Sequence, residues 1–334
     1  MDAVIPVAQK HFWGAVWMPN TQPFITLPEH ATAYYADLHA VSNRHFVHVI
    51  TGYLQEYTPP SLIEAGYKNG SWRAMKAYPR GGTTNSHGGI ENWYSLTQPL
   101  ARMEKIGMPL LIHGELNYDW KNKREEDPHE RERRFMDSVL PWILESFPEL
   151  IVSLEHITTR EAASIILHHG GPTLRATVTP QHLLFSKIDF FSAGPQWQMH
   201  MWPTYKGYDD FEAIQKLVAS GSPWVGAGTD TAPHPHGNKI DACGCPGGFF
   251  SVNPLALYAE AFERLNALQY LESFLSINGL DIFGLTRKEG PLTLTNEGDS
   301  YTVDSVVEIE DGYIHPFGYH PDPEKRRKFT WRTA

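Results

Sequence analysis

Apolar residues along this chain gather into short, near-continuous runs, each ending in polar residues and most followed by a stretch with apolar positions at helical spacing. The runs cover residues 15–20 (AVWMPN), 46–54, 73–79, 109–115, 150–156, 174–180 and 224–230. Runs that are apolar at nearly every position, rather than at every second one, suit parallel strands buried on both faces. Helical spacing marks 27–41, 90–106 and 209–220 between them. Asp127-Pro128-His129-Glu130 carries the residues of a helix start, and His168-His169-Gly170-Gly171 those of a helix end with a glycine cap.

The pattern counts seven strand–helix units. A closed barrel of alternating strands and helices needs eight. The chain opens with a helix-like stretch before Ala15, so the natural place for the absent strand is ahead of Met1. An open seven-stranded sheet leaves two unpaired edges, which natural folds normally cover. After Asp230 the pattern changes to a Gly-rich loop with Cys243 and Cys245, a long helical region over 254–275, and short extended segments over 292–331. The expected fold class is therefore α/β, a TIM-like barrel forming one domain over 1–334, with 292–334 as a C-terminal appendage.

Composition narrows the functions only a little. The net charge of -10 argues against a nucleic-acid partner held through phosphates. Two cysteines make a disulfide framework implausible and fit a reducing compartment, no apolar stretch reaches the length of a membrane span, and the N-terminus lacks a secretory pattern. The expected location is the cytoplasm.

The chemistry lies at the ends of the runs. Lys76 ends the third, His113 the fourth, His156 the fifth and Asp230 the last. In a TIM barrel such strand ends converge in one bowl, and two imidazoles with a carboxylate suit a zinc site that keeps a position open for water. Lys76 is the odd member, because an ammonium repels a metal. Burial would depress its pKa, and a lysine carboxylated by CO2 becomes an oxygen donor. Each residue also has an ordinary reading: a hydrogen-bonded structural histidine, a solvent-facing lysine, an aspartate in a turn. Spacing alone leaves both readings open. Cys243 and Cys245 fit a loop role better than a metal site, and the charged run over 121–134 fits a solvated face.

The strings themselves go further. MPN at 18–20, MKAYP with TTNSHG within 75–88, RMEKIGMPLLIHGE at 102–115, LEHITTREAA at 154–163, VTPQHLLF at 178–185 and GTDTAPH at 228–234 closely resemble bacterial class II dihydroorotases of the amidohydrolase superfamily, as do the Cys243-Gly244-Cys245 loop and NAL at 266–268. The resemblance runs over the whole chain. It implies a zinc hydrolase that interconverts N-carbamoyl-L-aspartate and L-dihydroorotate in pyrimidine biosynthesis, with two zinc ions per site and a homodimeric assembly. It implies that Lys76 is a carboxylated lysine bridging the metals, that His113 and His156 complete one metal's shell, and that Asp230 is both a ligand and the general base and acid. Asn20 and His234 would hold the substrate carboxylate, Thr83 and Thr84 would lie on a loop that closes over it, and Trp202 would meet the substrate ring.

Two departures accompany the resemblance. The family's His-x-His-x-Arg string is absent, and alignment on MPN puts its strand ahead of Met1. The segment 194–206 also differs, with Trp197, His200 and Trp202, the last where the family has leucine. Three explanations follow: a dihydroorotase whose start is truncated, a pseudoenzyme with a structural or regulatory role, or a one-zinc amidohydrolase for another cyclic amide or imide. Intact Lys76, His113, His156 and Asp230 favour the first.

Overall fold

The structure is a computed structural model that describes residues 3–333, apart from 120, 121, 193, 195, 243, 287–289, 291 and 311. Cys243 thus lies outside the described residues. Each of the seven apolar runs holds a strand: β1 (Gly14–Trp17), β2 (Val47–Leu54), β3 (Ala74–Ala77), β4 (Leu110–Ile112), β5 (Val152–Leu154), β6 (Leu174–Val178) and β7 (Val225–Ala227). They form one seven-stranded sheet in sequence order, parallel at every pairing and curled as a half-barrel. Strand ends fall one to three residues inside most of the sequence runs, because the polar terminal residues leave the ladder to form the bowl.

The central strands are hidden on both faces. Ala77, Leu110, Ile112, Val152 and Val178 are fully buried. Helices α1 (Pro28–Val41), α2 (Pro60–Lys68), α3 (Thr97–Ile106), α4 (Arg131–Ser146), α5 (Arg160–His169) and α6 (Tyr208–Ala219) cover the outside. Their buried stripes, such as Phe135, Val139, Leu140 and Ile143 of α4, pack on the sheet as amphipathic helices do.

Three local expectations need correction. Residues 127–130 do not start α4, which begins at Arg131; Asp127 instead accepts the His129 N–H (2.9 Å) in a tight turn that precedes the helix. The region 90–106 is split into a 3-10 turn (Trp93–Leu96) and α3. The stretch 254–275 breaks where Asn266 takes φ 53, leaving α7 (Pro254–Arg264) and a short helix (Leu271–Ser276). Gly170 does cap α5, but in an extended conformation; it is small because a Cβ there would lie 2.4 Å from the Ile166 carbonyl oxygen.

The edges β1 and β7 do not pair with each other. Both line a cavity of about 1210 Å³ that also reaches Lys76 and Asp230. Near the C-terminus, Leu294–Tyr301 pairs antiparallel with Phe329–Thr333, and the latter packs against α7.

The end of β5 is fastened from below. Glu132 of α4, 1% exposed, accepts bonds from the N–H groups of Thr158 (2.8 Å) and Thr159 (3.1 Å), from the Thr159 hydroxyl (2.9 Å) and from the Thr158 hydroxyl. This web holds the turn that follows His156. Glu132→Ala would strand four buried donors, each costing about 1–3 kcal/mol when unpaired, so a loss of about 3 kcal/mol or more is expected, read as a fall in the urea midpoint. A loss below about 1 kcal/mol would show that water replaces the carboxylate.

Candidate active site

Lys76 sits within β3 at register with Tyr53 on β2 and Leu111 on β4, and is 2% exposed. Burial pulls its ammonium down to about 8, while Glu155 and Asp230 pull the other way. The Nζ lies 5.3 Å from the centre of the Tyr78 ring. On the neighbouring strand end, His113 is buried and its Nε2 meets Glu115 Oε2 at 2.8 Å. One strand further, the His156 ring stands edge-on to that of His113, centroids 4.7 Å apart. Burial, then the His113 and Lys76 charges, hold His156 well below the usual histidine value.

His156 and Asp230 share an unusual backbone. Both follow strand ends with positive φ, 45° and 47°. A side-chain-bearing residue reaches that region only at a cost of about 1–3 kcal/mol. At His156 the corner is held by its own N–H, which donates to Thr177 Oγ1 (2.8 Å). Asp230 retains some exposure to the cavity, yet the protein around it is dense enough that desolvation raises its pKa, against Lys76 and His113 and with Glu155. The carboxylate is thus a better proton carrier near neutral pH than an exposed aspartate.

Asn20, Thr83, Thr84, Trp202 and His234 line the same cavity as Lys76, His113, His156 and Asp230. The loop after β3 folds across one wall. The Asn20 side-chain amide donates to the Thr84 carbonyl (2.9 Å), the Thr84 hydroxyl to the Pro246 carbonyl (3.3 Å), and His234 Nε2 meets the same carbonyl at 3.0 Å. The Arg131 guanidinium lies 4.9 Å from the centre of the Trp202 ring. Sequence reasoning missed Tyr78, Glu115, Glu155 and Thr177. The signal was available for the first two: they stand two residues beyond Lys76 and His113, and alternation returns i+2 to the same face of an extended chain.

Among the described residues, no group of three or more His, Cys, Asp or Glu side chains is placed to hold a metal ion by itself. The donors present still suit one in kind. His156 Nδ1 is buried with no hydrogen-bond partner, next to a second imidazole and a lysine whose amine is easily neutralised. A buried orphan nitrogen of that sort calls for a proton or a cation.

A parallel half-barrel with a buried lysine, two imidazoles and an aspartate at its strand ends belongs to the amidohydrolase-type class of TIM-barrel hydrolases. An L-hydantoinase from Arthrobacter aurescens shares the fold at TM-score 0.76 and 14% identity, over 91% of this chain and 72% of that one. The chain is 39% identical to the dihydroorotase of Cupriavidus metallidurans over 299 residues, 89% of this chain and 85% of the relative. It matches the Saccharomyces cerevisiae dihydroorotase solved with 5-fluoroorotic acid at TM-score 0.89 and 26% identity, over 100% of this chain and 93% of that one. No protein-family model matches. This chain belongs to the dihydroorotase family.

The buried lysine gives a test by linkage. Lys76 releases its proton near 8 in the folded protein and near 10.5 unfolded, so the unfolded state binds more protons between those values and stability rises with pH there. Between pH 7.5 and 10 the metal-free protein should gain about 2 kcal/mol relative to Lys76→Met, in which the titration is gone. Parallel urea midpoints for the two proteins over that range would instead show that Lys76 is solvated.

Proposed function

We propose that this chain interconverts N-carbamoyl-L-aspartate and L-dihydroorotate. The observation that carries this reading is the convergence of Lys76, His113, His156 and Asp230 on one cavity with Asn20, Thr84 and His234 along its wall, in a chain of the dihydroorotase family. Zinc held by Lys76 in its carboxylated form, His113, His156 and Asp230 would supply Lewis acidity toward the ring amide carbonyl. Carboxylation joins the neutral amine to CO2 and releases one proton, so it needs the uncharged form that burial makes accessible near pH 8.

The remaining steps belong to this chain's own residues. Asp230 takes the proton of the attacking water and passes it to the leaving ring nitrogen; the reverse path closes the ring. Asn20 and His234 hold the substrate carboxylate, and the Thr83–Thr84 loop covers the site and excludes water. The Trp202 ring bounds the pocket on the side where Arg131 stacks. The reading is of a cytoplasmic homodimer acting on a small molecule. No helix among the described residues is long and apolar enough to cross a membrane.

Supplied with zinc and bicarbonate at pH 8, the 334-residue protein is expected to close carbamoyl aspartate and open dihydroorotate. Asp230→Asn should lower kcat by about 10²–10⁴ with little change in fold, as for loss of a general acid–base. Normal turnover by that variant would remove Asp230 from proton transfer. Zinc content after loading at pH 8.5 should exceed that at pH 6.5, and Lys76→Ala should lower the content at pH 8.5 and shrink the difference to what deprotonation of the histidine ligands alone supplies. An inert wild-type protein that binds zinc would favour the pseudoenzyme.

A further inference from the structure

One buried cation has no part in the reaction above. Lys239 lies on a short helix (His236–Ile240) behind the cavity wall and is 8% exposed. Its Nζ donates to three main-chain carbonyls: His200 (3.2 Å), Cys245 (3.1 Å) and Gly247 (2.5 Å). Two of these flank Pro246, whose own carbonyl meets His234 and Thr84. The third, His200, also accepts the Gly247 N–H (2.9 Å). Thr84 in turn is held by Asn20. The part of the pocket wall that carries Thr84 and His234 therefore hangs on a loop with little regular structure, and the ammonium is its fastening.

We propose that Lys239 is a positioning residue for the substrate-carboxylate wall: by gripping both neighbours of Pro246 it fixes the carbonyl that orients His234 and Thr84, and at neutral pH it places a positive charge near the His234 imidazole. The inference rests on the dihydroorotase reading for the identity of the anion, not for the clamp itself. Proline suits the centre of the clamp, since it donates no N–H and its rigid φ limits how the carbonyl can swing. Gly247, at φ 131, brings the loop so close to Ala232 that a Cβ would lie 2.4 Å from the Ala232 carbonyl oxygen, so the grip has no slack on that side.

The charge has a measurable consequence. Burial first, and then Lys239, lower the His234 pKa, while the bond to Pro246 raises it. Among the described residues, the other titratable groups of the elements around the helix are His200, Asp241 and Cys245 on the loops, with His236 at the helix start and Tyr313 and His315 opposite it. Losing the lysine charge should therefore let His234 hold its proton to higher pH.

Two readouts separate the clamp from mere folding support. In Lys239→Met at pH 7, KM for carbamoyl aspartate should rise about tenfold, as for loss of one well-placed polar contact, with kcat changed much less. The His234 titration, followed by NMR of 13C-histidine-labelled protein and assigned with His234→Asn, should move to higher pH. Lys239→Arg, which keeps the charge, should leave that titration in place and recover most of KM. Lys239→Gln is read in the same way should the Met variant fail to fold. Wild-type KM and titration in the neutral variants, or a shift in the Arg variant as large as theirs, would overturn the proposal. If the wild type turns over no carbamoyl aspartate, the functional reading fails, and the His234 titration still decides the clamp.

Discussion

The constraint on which this structure depends is the burial of one ammonium group among parallel strand ends. Lys76 occupies a position where a parallel sheet normally places Val, Ile or Leu, with apolar partners in register on one side and Tyr53 on the other. Such a charge persists in a core only if carboxylates face it or if it gives up its proton. Both conditions are prepared: Glu155 and Asp230 lie within its field, and desolvation has brought its neutral form within reach. The other features of the bowl can be read as answers to this one. Glu155 is braced by Ser153 and Thr177, His113 by Glu115, and the dense packing that depresses Lys76 also raises Asp230.

Around that centre the fold divides its work. Strands fix how far apart the side chains stand, and the corners after β5 and β7 decide where they point. Glu132 anchors the first corner through Thr158 and Thr159, so a helix on the outside of the barrel determines the aim of an imidazole inside it. The opposite wall is made of loops, where no ladder can supply rigidity, and there side-chain-to-carbonyl bonds through Asn20, Thr84 and Lys239 take its place.

Much of this was legible in the sequence. Seven apolar runs gave seven strands in order, because strands buried on both faces cannot hide their composition. Lys76, His113, His156 and Asp230 stood out because a polar residue closing an apolar run has few reasons to be there. What stayed hidden depends on tertiary contacts. Nothing local marks Glu132 as buried, since its partners lie beyond another strand, and nothing in the spacing shows that Lys239 folds back onto the loop that follows it and reaches His200. The helix start read at Asp127 failed because an aspartate serves a tight turn as readily as a helix cap.

The two left-handed corners also bear on how such a protein can change. At φ near +45° glycine is free of strain and asparagine is nearly so. In the genetic code an aspartate codon is one base from glycine, and a histidine codon is one base from asparagine. Single-base changes at positions 156 and 230 would therefore relax the backbone while dismantling the chemistry. A descendant freed from selection for activity has a short mutational path to a calmer, sturdier and inert barrel, one with its outer surface intact.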